Sequence, residues 1–170
     1  MWEYLLRLII YLLPMYVANS SAMLFGGKTP LDFNKKWRDK KPVFGKGKTF
    51  KGTFFGIFWG TLTGVIVYAL IPQTVQNFSP NYLLLSFLIA LGAVLGDILA
   101  SFFKRRNNIP RGTEILFLDQ LDFLFGGLIL GSIIYVPDFY EILLISILTM
   151  FVHKFSNYFA YKVKLKKVPW

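Results

Sequence analysis

The chain has 170 residues, of which 55% are hydrophobic, 18% aromatic and only 16% charged, with a net charge of +10 at pH 7. An average soluble domain carries about 25% charged residues, so this composition excludes an ordinary soluble fold of the same length. The sequence contains no cysteine, which excludes disulfides and thiol chemistry.

The charges lie between long apolar runs, each close to the roughly 20 residues that a helix needs to cross a hydrocarbon core about 30 Å thick. The first run, residues 2–24, reads as a membrane span kinked at Pro14. It opens on Trp2 and Glu3 instead of a basic segment and is long for a signal peptide, so a retained helix is expected. A basic loop, residues 26–51, leads to a second span, residues 52–70, which ends at the Ile71-Pro72 breaker. An uncharged link, residues 73–80, precedes a third span, residues 81–103. A second basic loop covers residues 104–114 and a fourth span residues 115–136. After the Pro137-Asp138 turn comes a fifth span, residues 140–159, and a basic tail, residues 161–167. The expected fold is an all-α integral membrane protein of about five transmembrane helices, forming a single transmembrane domain over residues 1–170.

Charge sets the expected orientation. Of the 19 Lys and Arg residues, only Arg7 lies outside the two loops, the tail and the adjoining Lys154, whereas Glu3, Asp138 and Glu141 mark the other side. With five spans all the basic segments share one face, which the positive-inside rule makes cytoplasmic. The N-terminus is then outside and the C-terminus cytoplasmic, in a multi-pass cell-membrane protein whose active site faces the cytoplasm. Basic loops bordering apolar spans suit anionic lipid head groups and not nucleic acid.

Gly52, Gly56, Gly60 and Gly64 recur every four residues; Gly92, Gly96 and Ala100 repeat the spacing, as do Gly127 and Gly131. Small residues at this interval let helix backbones approach closely in lipid. The sequence leaves open whether the partner helix is in the same chain or in a second copy, so a homodimer through glycine-lined helices is one alternative.

Topology does not explain three carboxylates. Asp97 lies inside the third span, about 10 Å along the helix from Lys104. A carboxylate at that depth needs an ion pair, a metal or a water-filled cavity. Asp97, Ser101 and Lys104 share one helical face. Asp119 and Asp122, three residues apart near the start of the fourth span, repel each other unless a cation compensates. Mg²⁺, which takes oxygen ligands and keeps substrate phosphates among them, would do so. The stretch Phe44-Gly45-Lys46-Gly47-Lys48-Thr49-Phe50-Lys51-Gly52 sets glycines beside lysines at a helix N-terminus, a pattern that favours anions, although it lacks the Walker spacing. His153 has no second histidine to share a metal with and reads as a hydrogen-bonded interfacial residue.

At these residues the chain resembles the CTP-dependent phosphatidate cytidylyltransferases, and more closely their archaeal branch, the CDP-archaeol synthases. Ser101-Phe102-Phe103-Lys104-Arg105 and Asp119-Gln120-Leu121-Asp122 match the general family's Ser-x-x-Lys-Arg and Asp-x-x-Asp elements. Pro30-Leu31-Asp32, the Phe44–Gly52 stretch, Gly96-Asp97 and Pro110-x-Gly112 match the archaeal branch. The wider family's His-Gly-Gly stretch is absent, and Lys40 follows Asp39 where the branch commonly has Asp-Gly.

The resemblance implies transfer of a cytidylyl group from CTP to an isoprenoid glycerol ether lipid phosphate. It assigns Asp97, Asp119 and Asp122 to Mg²⁺, with Lys104 also catalytic. Asp32, Gly45, Gly47, Lys48, Thr49, Gly52, Ser101, Arg105 and Arg111 fall to nucleotide or phosphate binding. The implied partners are CTP, the lipid phosphate and the membrane, with no nucleic acid. A transporter or lipid-handling protein using Asp97 as an ion site is the alternative from a different class.

Overall fold

The computed structural model describes residues 2–113 and 115–164. Lys166 and Lys167 of the basic tail, and Glu114 at the end of the second loop, lie outside the described residues. Six helices follow one another: α1 (Trp2–Leu24), α2 (Phe50–Leu70), α3 (Pro72–Phe78), α4 (Tyr82–Arg106), α5 (Leu118–Gly131) and α6 (Phe139–Lys162).

By length and composition, α1, α2, α4 and α6 can cross a membrane. The fourth expected span is the exception: α5 has 14 residues, about 21 Å of helix against the roughly 30 Å of a hydrocarbon core. The sequence predicts helix through residues 115–136, which are mostly apolar around Asp119, Gln120 and Asp122. In the structure the helix starts at Leu118 and stops at Gly131, with turns on either side. A second difference is α3, a short helix where a plain link was expected. Pro72 occupies its first turn, where a missing N–H costs nothing.

The glycine ridges are used inside the chain. A Cβ on Gly52 would come within 2.6 Å of the Ala22 carbonyl, on Gly56 within 2.9 Å of the Ala18 carbonyl, and on Gly60 within 2.7 Å of the Pro14 carbonyl. These contacts run antiparallel along α1. Gly56, Gly60 and Gly64 meet α4 as well, through Val94, Ala90 and Ser86 in turn. Gly52, Gly56, Gly60 and Gly64 are all buried, so this ridge presents no face to a second copy. α4 and α5 pack still closer: Cβ atoms on Gly92 and Gly96 would run into the carbonyls of Gly126 and Asp122. Gly126, which the every-fourth-residue pattern passed over, is the α5 residue that admits this approach.

Between the helices, Leu85, Ile89, Ala93, Phe123, Leu124 and Ile145 are fully buried. Two tyrosine hydroxyls between the helices find partners, Tyr82 donating to the Ile10 carbonyl at 2.8 Å and Tyr16 to Thr149 Oγ1 at 2.8 Å. At the end away from the basic loops, Asp138 caps α6 and Glu141 closes a reciprocal capping box.

Adding a methyl group at Gly92 must push α5 away from α4. Gly92→Ala is expected to lower stability by about 1–3 kcal/mol, the usual cost of overpacking. Gly26→Ala, whose Cβ would meet its nearest atom at an ordinary 3.4 Å, should change stability little. Thermal unfolding of the two variants in detergent checks the contrast.

Candidate active site

The first basic loop is an ordered structure, and Asp32 holds it. Its Oδ2 accepts the N–H groups of Phe44 and Gly45, both at 2.9 Å, and its Oδ1 accepts that of Asn34 at 2.9 Å. Burial alone would raise the Asp32 pKa, but these N–H donors favour the charged form and hold the carboxyl below its ordinary value. Gly45 turns through a φ of +86°, open to glycine at no steric cost. The loop closes at Thr49, whose Oγ1 caps α2 by accepting Gly52 N–H at 3.1 Å and Gly27 N–H at 3.0 Å.

This loop lies over a cavity of about 870 Å³ sunk between α1, α4, α5 and α6. Lys46, Lys48, Lys104, Arg105 and Arg111 line it, together with Asp97, Asp119 and Asp122. Five cations against three carboxylates leave an excess of positive charge suited to a polyanion. Lys48 Nζ is paired with Asp97 and Lys104 Nζ with Asp119. Lys104 also donates to the Thr113 carbonyl at 3.0 Å. Asp119 Oδ2 additionally accepts the Ile115 N–H at 3.1 Å. Among the described residues, Arg105 Nε is buried without a hydrogen-bond partner. Its aliphatic stem passes over Gly45, and the Arg111 guanidinium passes over Gly47.

The residues expected from sequence divide into two groups. Asp97, Ser101, Lys104, Arg105, Arg111, Asp119, Asp122, Gly45, Gly47, Lys48, Thr49 and Gly52 all border the one cavity. Within that group Thr49 and Gly52 also build the α1–α2 corner. Asp32 is not on the cavity wall; it shapes the loop that carries Lys46 and Lys48.

Among the described residues, no three acidic or imidazole side chains gather closely enough to hold a metal by themselves. Asp119 pairs with Lys104, as Asp97 does with Lys48. Asp97 and Asp122 come from neighbouring turns of α4 and α5, since Gly96 abuts the Asp122 carbonyl. An all-oxygen pair of this kind fits a hard divalent cation that takes its other ligands from substrate phosphates and water.

The sequence reading missed two sets of residues. Arg106 donates to Asp39 Oδ1 at 2.9 Å and lies over the Phe102 ring at 4.8 Å, tying the two basic loops together. Asn19, Ser20, Ser156 and Asn157 form a polar cavity wall on α1 and α6. These polar residues recur at helical spacing within apolar runs, but nothing in the sequence brings the two helices together. His153 is hydrogen-bonded, with its Nδ1 3.3 Å from Asn157 Nδ2.

The family described as CarS-like CDP-archaeol synthase matches residues 1–170 of this chain. The chain belongs to the CDP-archaeol synthase family. It is 42% identical to the CDP-archaeol synthase of Pyrococcus horikoshii over 166 residues, covering 98% of this chain and 97% of that one. It is 41% identical to the CDP-archaeol synthase of Methanocaldococcus jannaschii, covering 94% of each. A solved structure of an intramembrane enzyme for archaeal membrane lipid biosynthesis superposes with a TM-score of 0.79 at 31% identity, covering 88% of this chain and 91% of that one.

Because Asp32 is ionised with its oxygens on backbone N–H groups, its contribution is present at neutral pH and lost as pH falls through its lowered folded-state pKa. Asp32→Ala, which strands those donors, is expected to cost about 1–3 kcal/mol at pH 7. The difference in thermal stability from wild type should narrow on acidification. A difference independent of pH would contradict the assignment.

Proposed function

We propose that this chain transfers the cytidylyl group of CTP to an isoprenoid glycerol ether lipid phosphate, yielding a CDP-archaeol-type lipid and pyrophosphate. The observation that carries the reading is a cation-rich cavity with Asp97 and Asp122 at its α4–α5 wall, in a chain matched end to end by the CDP-archaeol synthase family. A transport role for Asp97 has less support, because this carboxylate is paired with a loop lysine in that cavity.

A lipid phosphate oxygen attacks the α-phosphorus of CTP. A new P–O bond forms, the bond between the α-phosphorus and its bridging oxygen breaks, and pyrophosphate leaves with the electron pair. The attacking oxygen already carries negative charge, so no protein nucleophile or strong base is required. Lys104, Arg105 and Arg111 hold phosphate oxygens, with the buried Arg105 Nε as one donor awaiting an acceptor. Ser101, one turn from Asp97 and Arg105 on α4, adds a hydroxyl to the same wall. Gly45 and Gly47 keep the loop flat beneath Arg105 and Arg111. Lys48 exchanges Asp97 for nucleotide phosphate. Asp119 keeps Lys104 directed into the cavity. A divalent cation, Mg²⁺ in this reading, would be held by Asp97 and Asp122 and would supply neutralisation of phosphate charge.

The positive-inside rule puts the two basic loops in the cytoplasm, where CTP is found, and the N-terminus outside.

Pyrophosphate release from each of the four nucleoside triphosphates by purified protein tests the reading. Release is expected only with CTP, the ether lipid phosphate and a divalent cation together, and none after EDTA. Asp122→Asn should abolish turnover while the protein remains folded and inserted. Undiminished turnover would remove Asp122 from the site.

A further inference from the structure

The ion pairs occupy only one side of the cavity. The other side is built by α1 and α6, and its chemistry differs. α1 supplies Tyr16, Asn19 and Ser20, and α6 supplies His153, Ser156 and Asn157. Each set recurs at intervals of three or four residues and so lies along one face of its helix. No Lys, Arg, Asp or Glu interrupts either set on the cavity wall. Uncharged polar groups facing hydrocarbon are costly unless they have partners or line a wet cavity.

This wall is also a seam. α6 packs more closely along α5 than along α1. Tyr16 and Thr149 meet at 2.8 Å and form its floor. Beyond that contact, toward the loop face, the cavity separates the two helices. The flanks of the seam are apolar and exposed, with Met23 and Leu24 on α1 and Val152 on α6. His153 is steadied by Asn157 and by stacking on Phe123, with ring centroids 6.1 Å apart.

We propose that the α1–α6 seam is the acceptor side of the cavity. On the cytidylyltransferase reading, from which this follows, the lipid phosphate enters sideways from the bilayer with its chains left among the apolar flanks. Its glycerol and ether oxygens lie against Asn19, His153 and Asn157, and its phosphate points across to the cationic wall. Ether oxygens only accept hydrogen bonds, so amide and hydroxyl donors suit them. A carboxylate here would repel the phosphate, and a lysine would hold it on the wrong side of the cavity. The volume of about 870 Å³ sits near the top of the roughly 300–1,000 Å³ range for small-molecule pockets, which fits two head groups better than one. Asn19 and Asn157 are thus positioning residues for the acceptor.

The test is a separation of the two Michaelis constants. In Asn157→Leu and Asn19→Leu the KM for lipid phosphate should rise about tenfold while the KM for CTP stays unchanged. A parallel rise in both constants, or no rise in either, overturns the assignment. Should these variants fold poorly, Ser156→Cys gives a near-isosteric second measurement, because the chain has no other cysteine. Lipid phosphate alone should slow maleimide labelling of that thiol about tenfold by occupying its site, and CTP with metal should not. Labelling slowed by CTP alone, or by neither, overturns the proposal. Wild-type protein that turns over no CTP with any lipid phosphate would instead overturn the reading on which the proposal rests. Active wild type with an unprotected Ser156→Cys thiol would overturn the seam assignment alone.

Discussion

The backbone contact between α4 and α5 is the constraint on which the rest of the molecule depends. Gly92 and Gly96 leave no space for a side chain against Gly126 and the Asp122 carbonyl. That closeness is what sets Asp97 and Asp122 on adjoining turns of two different helices. Lipid gives no hydrophobic drive for helices to associate, so the approach rests on dispersion between tightly apposed backbones. A bulkier residue at any of the three glycines would separate the carboxylates as well as the helices. The same logic operates in α2, where four glycines seat the helix against α1 and α4 at once. Fold and site are therefore one packing solution.

The shortness of α5 follows from the same requirement. A full-length fourth span would fill the space beside Asp97 with helix. Instead the described residues after α4, 107–113 and 115–117, form no regular helix, and Arg111, Gly112 and Thr113 line the cavity that results. Irregular backbone near membrane depth is tolerated only where protein buries it or water reaches it. Lys104 meets that condition directly, donating to the Thr113 carbonyl and pairing with Asp119. Each acidic group on α4 and α5 that pairs with a lysine does so across elements, Lys48 bridging the first loop to α4 and Lys104 bridging α4 to α5. Removing one member of such a pair leaves the other charge half-buried and uncompensated. In the proposed reaction, nucleotide phosphate and a divalent cation replace the two partners of the Lys48–Asp97 pair, so charges already compensated in the site are exchanged for those of the substrates.

The sequence carried the helices well because hydropathy and charge are sums over many residues. The ends of α1, α2, α4 and α6 fall within a few residues of the expected spans. α5 was misjudged at both ends: residues 115–117 and 132–136 are as apolar as their neighbours, and only packing distinguishes helix from turn there. The spacing of Asp97, Ser101 and Lys104 placed them on one wall, as the cavity has them. Asp32 was expected at the nucleotide, and no local pattern reveals that its oxygens are already taken by Phe44, Gly45 and Asn34. The role of Gly126 was hidden because the pattern at Gly127 and Gly131 satisfied the same spacing. These two in fact face Met15, Tyr11 and Ile89. The α1–α6 wall was hidden for a different reason: two helices at opposite ends of the chain share it, and sequence spacing does not measure distance between them.

The claim that Asp97 and Asp122 together hold a nucleotide-bound divalent cation is tested most directly by equilibrium binding of Mn²⁺, followed by electron paramagnetic resonance with and without CTP. In wild-type protein CTP should create a tight Mn²⁺ site, and Asp97→Asn should lose it while Asp119→Asn keeps it. Tight, CTP-dependent Mn²⁺ binding that survives in Asp97→Asn would contradict the account.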